Sequence, residues 1–322
     1  MPGAQNPQPK PFFWIALGGK PEPTKEGPAP HHRFSGLSGC LELEIEVRSD
    51  YLYVGSGQIE LFDHHGREQA YFAFARRNGQ LIIPGTSIKG AVRSVVEAIS
   101  NSCVKLIGRG ERLPASHQPC QGEDALCPAC RLFGTTGYRG RVRFADAVPV
   151  GDVRPSIVKI ADLWPPSQIR GRKFYRSRQF QALDPKPAKN HRFLEAAPKG
   201  SKFRSVLYFE NASSAEMGLL IRALGLDRSP NDPSKVAYVV PIKLGGAKPR
   251  CLGSVRFTPK ALRLLQDGPG LPASLLDGGV PVPITETLLG WLEDETLLDR
   301  DAWDQFRRNA KAEEGFCPEG VY

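Results

Sequence analysis

The sequence lacks the features that mark several large classes of protein. It contains no apolar run that approaches the roughly 20 residues a membrane-spanning helix needs. Its first residues do not follow the charged, apolar and small-residue order of a signal peptide, which predicts an intracellular, cytoplasmic protein with no membrane contact. We find no internal repeat and no low-complexity tract. The pattern therefore favours a globular protein of one or two domains.

Cysteine is too scarce and too unevenly placed for a disulfide framework. There are seven cysteines, an odd number, and four of them are clustered, which suits a reducing compartment and a bound metal. We interpret Cys40, Cys251 and Cys317 as packing or incidental residues.

Negative charge is in deficit. The 322 residues include 43 Lys and Arg against 34 Asp and Glu, which gives a formal net charge of +9. Such a balance favours a polyanionic partner, above all nucleic acid. The 40% apolar content is sufficient for a sizeable core.

One segment has the spacing of a metal site. His117, Cys120, Cys127 and Cys130 follow the pattern H-x2-C-x6-C-x2-C, which suits tetrahedral zinc. Four protein ligands would leave no open position, so this zinc is predicted to be structural and to organise residues 102–140. Two alternatives remain open, namely a set of free thiols and a site completed by Cys103 in place of His117.

The order of elements predicts an α+β fold. Residues 41–47 alternate strictly between apolar and acidic side chains, as a half-buried strand does. A helix follows the turn at residues 84–87, and another covers residues 213–224, with capping-box spacing between Ser213 and Glu216. Further strands are predicted at residues 141–147, 205–211 and 252–257. The resulting β-α-β-β-α-β order is that of the ferredoxin-like, RRM-like fold.

Long segments separate these elements and suggest a domain organisation. We predict an extended N-terminal arm over residues 1–35, a ferredoxin-like domain over 36–258 and a helical C-terminal extension over 259–322. Within the domain, residues 102–140 and 148–204 are predicted insertions. Structureless loops of such length are uncommon in compact domains, so each is expected to have a role.

The first helix carries a candidate phosphate site. Thr86 or Ser87 can cap the helix, and Lys89 and Arg93 follow on one face. Amides freed at the turn by Gly85, the helix dipole and two cations would together hold an anion. The alternative is a capped amphipathic helix with a solvated basic face.

Two further segments are basic. Residues 243–250 contain Gly245, Gly246, Lys248 and Arg250, where glycines allow close approach and cations neutralise phosphates. A mobile surface hairpin is the alternative for this segment.

Residues 170–192 interleave cations with aromatic side chains, which suits single-stranded nucleic acid. A basic loop whose aromatics pack inward is the alternative. The candidate RNA contacts in this segment are Arg172, Lys173, Tyr175, Arg176 and Arg178.

Three ordered blocks, at residues 83–93, 127–134 and 245–256, resemble the signature blocks of the RAMP superfamily of CRISPR-associated proteins. The resemblance is greatest to the backbone subunits of type III effectors and their relatives. It implies a protein that polymerises along a guide RNA (crRNA), with a palm that grips the guide and a thumb, residues 148–204, that wedges between guide and target RNA. It also implies that Ser87, Lys89 and Arg93 line the guide groove, and that other effector subunits, including a separate nuclease, join the assembly.

The resemblance leaves catalysis open. Family members that cut target RNA place an aspartate about fifteen residues before the Ile-Pro-Gly turn, a position that here falls near Gln69, with Asp63 the nearest aspartate. We therefore favour a non-cutting guide-binding backbone, with a metal-independent endoribonuclease using Asp63 as the alternative. A stand-alone RNA-binding protein with a structural zinc is the third interpretation.

Overall fold

The computed structural model describes residues 11–21, 31–104, 115–162, 171–265 and 279–318. Its first strands are β1 Phe12–Ile15, β2 Leu37–Val47, β3 Tyr51–Leu52, β4 Gly55–Asp63, β5 Glu68–Phe74, β6 Arg76–Arg77, β7 Gln80–Leu81, β8 Gly134–Thr135, β9 Tyr138–Arg139, β10 Val142–Phe144 and β11 Val148–Pro149. The remaining strands are β12 Ser156–Ala161, β13 Arg172–Tyr175, β14 Ser177–Gln179, β15 His191–Pro198, β16 Lys202–Ala212, β17 Leu226–Arg228, β18 Val236–Tyr238, β19 Ile242–Lys243, β20 Ser254–Leu264, β21 Val280–Pro281 and β22 Ala312–Phe316. The α-helices are α1 Gly85–Ala98, α2 Pro128–Phe133, α3 Ser214–Ala223, α4 Ile284–Glu293 and α5 Arg300–Asn309. The molecule is therefore an α+β protein in which strands predominate.

The central sheet has β2 in its middle. Its order is β10-β16-β2-β20-β19, and all neighbours on this path are antiparallel. Leu41, Leu43, Ile45 and Val47 of β2 are fully buried, while the intervening glutamates lie on the other face. The alternation predicted for residues 41–47 is thus confirmed, although the strand begins four residues earlier.

Helices α1 and α3 pack against each other over the buried side of this sheet. Each of these helices buries apolar residues that recur at helical spacing, namely Ile88, Val92, Val95, Val96 and Ile99 along α1, and Met217, Leu220, Ile221 and Leu224 along α3. The capping box of α3 is also confirmed, with both hydrogen bonds between Ser213 and Glu216 present.

The predicted cap of α1 is wrong. The helix begins at Gly85, and its N-cap residue is Pro84, which makes no side-chain cap hydrogen bond. Thr86 and Ser87 therefore lie inside the first turn instead of ahead of it.

A second sheet is built from two segments that are far apart in the sequence. Its order is β12-β15-β5-β4, and β15 runs parallel to β5. Glu195 of β15 accepts hydrogen bonds from the Phe74 amide at 2.9 Å and from an Arg76 guanidinium nitrogen at 2.6 Å. Strands that precede α1 in the sequence, β4 and β5, and strands that follow it, β12 and β15, therefore form one sheet.

The described parts of the N-terminal arm and the C-terminal extension meet at an aromatic cluster. Strand β1 pairs antiparallel with β13, which brings Phe13 and Phe174 together with ring centroids 5.8 Å apart. Phe306 of α5 contacts both rings. Helix α4 packs on α3. None of the described helices is long and apolar enough to cross a membrane.

The interpretation of Cys251 and Cys317 as packing or incidental residues is wrong. They form a disulfide that closes 66 residues of sequence and ties the end of the described chain to the loop before β20. Cys40 is half-buried and lies outside this disulfide.

Gly85 is needed for packing. A Cβ atom at this position would lie 2.0 Å from the carbonyl oxygen of Phe144 in β10. We expect Gly85→Ala to lower the free energy of unfolding by about 2 kcal/mol or more, because backbone is the clashing group. Gly90→Ala in the same helix, where a Cβ would meet nothing within 4 Å, is the matched control and is expected to be neutral or stabilising in chemical denaturation.

Candidate metal centre and nucleic-acid interface

Four cysteine thiols converge beside α1. The sulfur atoms of Cys103, Cys120, Cys127 and Cys130 all lie within 4.8 Å of one another. The Cys103 sulfur is 3.3 Å from that of Cys130 and 3.6 Å from that of Cys127. Four thiolates at about 2.3 Å from a tetrahedral zinc would be about 3.8 Å apart. The donor set and its dimensions therefore fit zinc.

Local structure explains how the thiols meet. Cys127 is the N-cap of α2 and Cys130 lies one turn later, so the C-x2-C spacing directs both thiols to one side. The amide of Cys127 also donates to the Cys120 sulfur at 3.4 Å. Ser102, beside Cys103, accepts a hydrogen bond from the Ala129 amide through its hydroxyl, which fixes the distance between the two segments.

His117 is not part of this group, so the predicted set of one histidine and three cysteines is wrong, and the alternative with Cys103 is the one the structure supports. The His117 ring lies 3.2 Å from the carbonyl oxygen of Gly18 through Nε2 and 3.0 Å from the Ser116 hydroxyl through Nδ1. The sequence offered Cys103 only as the alternative because it precedes Cys120 by 17 positions, outside the short spacing that joins the other candidates.

Two cations predicted to touch RNA instead surround the thiols. Arg93 donates to the Cys130 sulfur at 3.4 Å, to the Gly134 carbonyl and to Glu97 at 2.7 Å. Arg172 is buried and donates to the Ser102 carbonyl at 2.6 Å. Burial lowers the pKa of Arg172, and Glu97 opposes that shift. A zinc with four thiolates carries a net charge of −2, which these two cations would offset.

The predicted phosphate site at the start of α1 is filled by the protein itself. The Asp146 carboxylate accepts the Gly85 amide at 2.8 Å and pairs with Arg77 at 3.1 Å. An acidic side chain at a helix N-terminus is favoured by the same dipole that would hold phosphate. Thr86 is exposed beside it, and Ser87 and Lys89 are half-buried.

Residues 243–250, the glycine loop, approach the backbone of a neighbouring part of the same chain. Gly245 has φ of +77°, and a Cβ there would lie 2.1 Å from the carbonyl oxygen of Tyr53, which accepts the Gly246 amide at 2.8 Å. Arg250 is buried and donates to the Ala161 carbonyl at 3.1 Å. The close approach that the glycines allow is therefore made to Tyr53 of the same chain, and the Arg250 side chain is held by carbonyl oxygens of the same chain.

A small basic cavity is found where three predicted segments meet. Its volume is about 70 Å³, and Lys173, Lys243 and Lys248 line it together with Ser94 of α1. Among the described residues that line it there is no Asp or Glu. We call it the lysine pocket; it has room for a phosphate-sized group and an excess of positive charge.

The pKa values of two pocket lysines reflect this excess. Burial, helped by the nearby charge of Lys248, lowers the pKa of Lys243 to about 7. Burial also lowers the pKa of Lys248. The Lys243 amine donates to the carbonyl oxygens of Cys251 and Leu252 at 3.1 and 3.2 Å, which orients it without neutralising its charge. An anion in the pocket would favour the protonated form of both lysines.

An aromatic surface adjoins the pocket. On the outer face of the β1–β13 ribbon, the Lys173 amine lies 4.1 Å from the ring centroid of Phe12, 5.8 Å from that of Trp14 and 5.5 Å from that of Tyr175. These three rings are half-buried, so each keeps an accessible part. Phe12 and Trp14 are not among the RNA contacts predicted from the sequence. The alternation of the β1 residues could have indicated their position, because it places Phe13 and Ile15 in the core and Phe12 and Trp14 on the opposite face.

Binding at the lysine pocket is expected to depend on pH through Lys243. Its folded-state pKa lies below the ordinary value, so without a ligand the stability of the fold rises as the pH increases from about 7. An anion needs the protonated amine, so RNA affinity is expected to rise by up to about tenfold as the pH falls from about 8 to about 6. Fluorescence anisotropy with labelled RNA measures this. The affinity of Lys243→Arg is expected not to vary with pH over this range. The same pH dependence in Lys243→Arg as in the wild type would contradict the assignment to Lys243.

Asp63 lies at the tip of the β4–β5 hairpin. Its carboxylate accepts the Gly66 amide at 2.7 Å, as in a turn, and the neighbouring rings of Phe62 and His64 pack with centroids 5.9 Å apart. Its role in catalysis stays a prediction.

The comparison with protein families agrees with this arrangement. The model of the RAMP superfamily matches residues 44–248, which include α1, the four cysteines, β13 and the glycine loop as far as Lys248. No curated protein matches the chain. The family match covers more than half of the sequence. The chain therefore belongs to the RAMP superfamily of CRISPR-associated proteins.

Proposed function

We propose that the protein binds a guide RNA as a backbone subunit of a CRISPR effector complex and presents it for pairing with target RNA. The observation that carries this proposal is the lysine pocket beside the aromatic face of the β1–β13 ribbon. Clustered lysines attract phosphate, and accessible rings offer stacking surfaces for unpaired bases.

The wider architecture suits this role. In the proposal, the central sheet with α1 and α3 is a ferredoxin-like palm, and the strands within residues 148–204 belong to the thumb. A structural zinc at the four cysteines would hold α2 against α1, with Arg93 and Arg172 balancing the charge of its thiolates. Several copies would bind one crRNA, and a type III or type III-derived complex would supply the other subunits.

The proposal is tested by co-expression with a repeat-spacer array, followed by native mass spectrometry and sequencing of the RNA that copurifies. We expect repeat-derived RNA bound by several copies of the chain. A monomer with random RNA would support the stand-alone RNA-binding protein instead, and a protein without RNA would overturn both.

The endoribonuclease alternative is decided on the same complex. Complementary RNA is incubated with the wild type and with Asp63→Asn, which keeps the size of the side chain. Cleavage that the substitution abolishes would establish a role for Asp63. A wild type that does not cut is the result we expect.

A further inference from the structure

A second charged surface lies beside β22, the last strand that the structure describes. A groove of about 600 Å³ runs beside β22, and its lining combines four cations with Asp50 of the body and two glutamates of the strand. The charged lining residues are Arg48, Asp50, Arg178, Lys199, Lys311, Glu313 and Glu314. The strand thus places carboxylates where a polyanion would otherwise meet the cations.

Glu313 makes the main polar contacts of this strand. One oxygen of its carboxylate pairs with Arg176, and the other accepts from Arg178 at 2.8 and 3.0 Å. Both arginines belong to the segment that the sequence predicts to bind RNA. Their guanidinium groups are therefore occupied by a carboxylate of the same chain.

Backbone pairing and apolar burial hold the strand only weakly. Strand β22 pairs with β14 at Ser177–Ala312 and Gln179–Phe316, with an irregular register between them. Phe316 is 55% exposed, so it adds little apolar burial. Segments with so little packing open at low cost in free energy.

The covalent link comes directly after the strand. Cys317 is bonded to Cys251, and Arg250 donates to the Pro318 carbonyl at 2.7 Å. Arg250 also donates to the carbonyls of Ala161 and Asp162, so it stays anchored when the strand leaves. The disulfide must therefore break before the strand can separate from the body over its whole length.

We propose that residues 312–318 form a redox-latched cover over a polyanion-binding groove. A dithiol reductant opens the latch in two steps. One of its thiolates attacks the disulfide, which releases one cysteine and forms a mixed disulfide with the other, and its second thiol then attacks this mixed disulfide and releases the second cysteine. The reductant becomes a disulfide, and Cys251 and Cys317 gain two electrons and two protons as thiols. Both sulfurs belong to buried residues, so the rate is set by local opening of the strand. Once the strand leaves, the Glu313 carboxylate no longer competes with phosphates for Arg176 and Arg178.

This inference rests on the proposed RNA binding only for the nature of the ligand. Among the described lining residues, the groove and the lysine pocket share no lysine or arginine, so variants separate their effects. A loss of binding in pocket variants tests the proposed function, whereas a change on opening the latch tests the cover.

The experiment uses the full chain and a labelled oligouridine of about 20 nucleotides, titrated over a range of salt concentrations. Cys317→Ser removes the latch without touching the four clustered cysteines. We expect this variant to bind about tenfold more tightly than the oxidised wild type, with a salt slope steeper by about 1.4, because two phosphate contacts are gained. Dithiothreitol is expected to bring the wild type to the same values and to leave Cys317→Ser unchanged.

Two further measurements make the outcome decisive. Hydrogen exchange of residues 312–318 is expected to accelerate in Cys317→Ser, and Arg178→Gln in that background is expected to remove part of the gain. Equal affinity and salt slope for Cys317→Ser and the oxidised wild type would overturn the proposal. So would alkylation of Cys317 in protein that was denatured without reduction.

Discussion

Cys130→Ser is expected to release the bound metal and to lower the melting temperature by about 10 °C or more. A structural zinc contributes its binding free energy to folding, and a loss of about 3–5 kcal/mol shifts the melting temperature of a domain of this size by that amount. The thiol of Cys130 also accepts from Arg93, whose neighbour Glu97 is buried. Losing the site also removes the thiolate that accepts the hydrogen bond from Arg93.

The measurement combines metal analysis by mass spectrometry with calorimetry. We expect one zinc per chain in the wild type and in Cys40→Ser, which removes a thiol outside the group. His117→Ala serves as a second control and is expected to retain the metal, since its ring is not among the four converging donors. Zinc loss from His117→Ala with retention in Cys103→Ser would restore the set with one histidine and contradict the structure.

The double variant Lys243→Gln/Lys248→Gln is expected to weaken RNA binding by about tenfold or more at physiological salt. Each phosphate contact that is lost also reduces the salt slope by about 0.7 for single-stranded RNA, so the slope should fall by about 1.4. The fold should not suffer, because burial holds both lysines below their ordinary pKa. Removing two half-buried cations that repel each other relieves that repulsion in the free protein.

The charge-matched control is Lys235→Gln/Lys260→Gln. Both lysines are exposed, and both pair with a carboxylate, Lys235 with Asp232 and Lys260 with Glu44. At pH 6, where the Lys243 amine is protonated as well, the control loses about the same net charge, so a shared decrease in affinity would show that only overall charge matters. A decrease confined to the pocket variant would assign binding to the lysine pocket.

Elements with a local cause were predictable from the sequence. The alternation in β2 and the stripe in α1 follow from periodicity, and the capping box of α3 follows from two residues three positions apart. Each of these signals lies within a few turns or a single strand. The structure departs from them mainly at their ends, as with Pro84 in place of Thr86 or Ser87.

The site was harder to predict because its decisive contacts are long-range. An arginine such as Arg93 is expected to be exposed from its residue type alone. Only the fold brings its side chain to Cys130 and Gly134. Asp146 fills the start of α1 from 61 residues away. Charge counts reveal how many cations a chain has, but they do not show which of them its own carboxylates and thiolates neutralise.

The position of β2 in the middle of the central sheet affects how the protein is made. On the ribosome β2 emerges before β16 and β20, the two strands with which it pairs. Glu46, for example, is opposite Lys202 on one side and Arg256 on the other, and both are synthesised later. At about 5–20 residues per second, the roughly 200 intervening residues take about 10–40 seconds to synthesise. Until β16 has been made, both edges of this half-apolar strand are bare, and one edge stays bare until β20 follows, so the chain aggregates readily during the interval. Lower growth temperatures and holding chaperones should therefore raise the soluble yield.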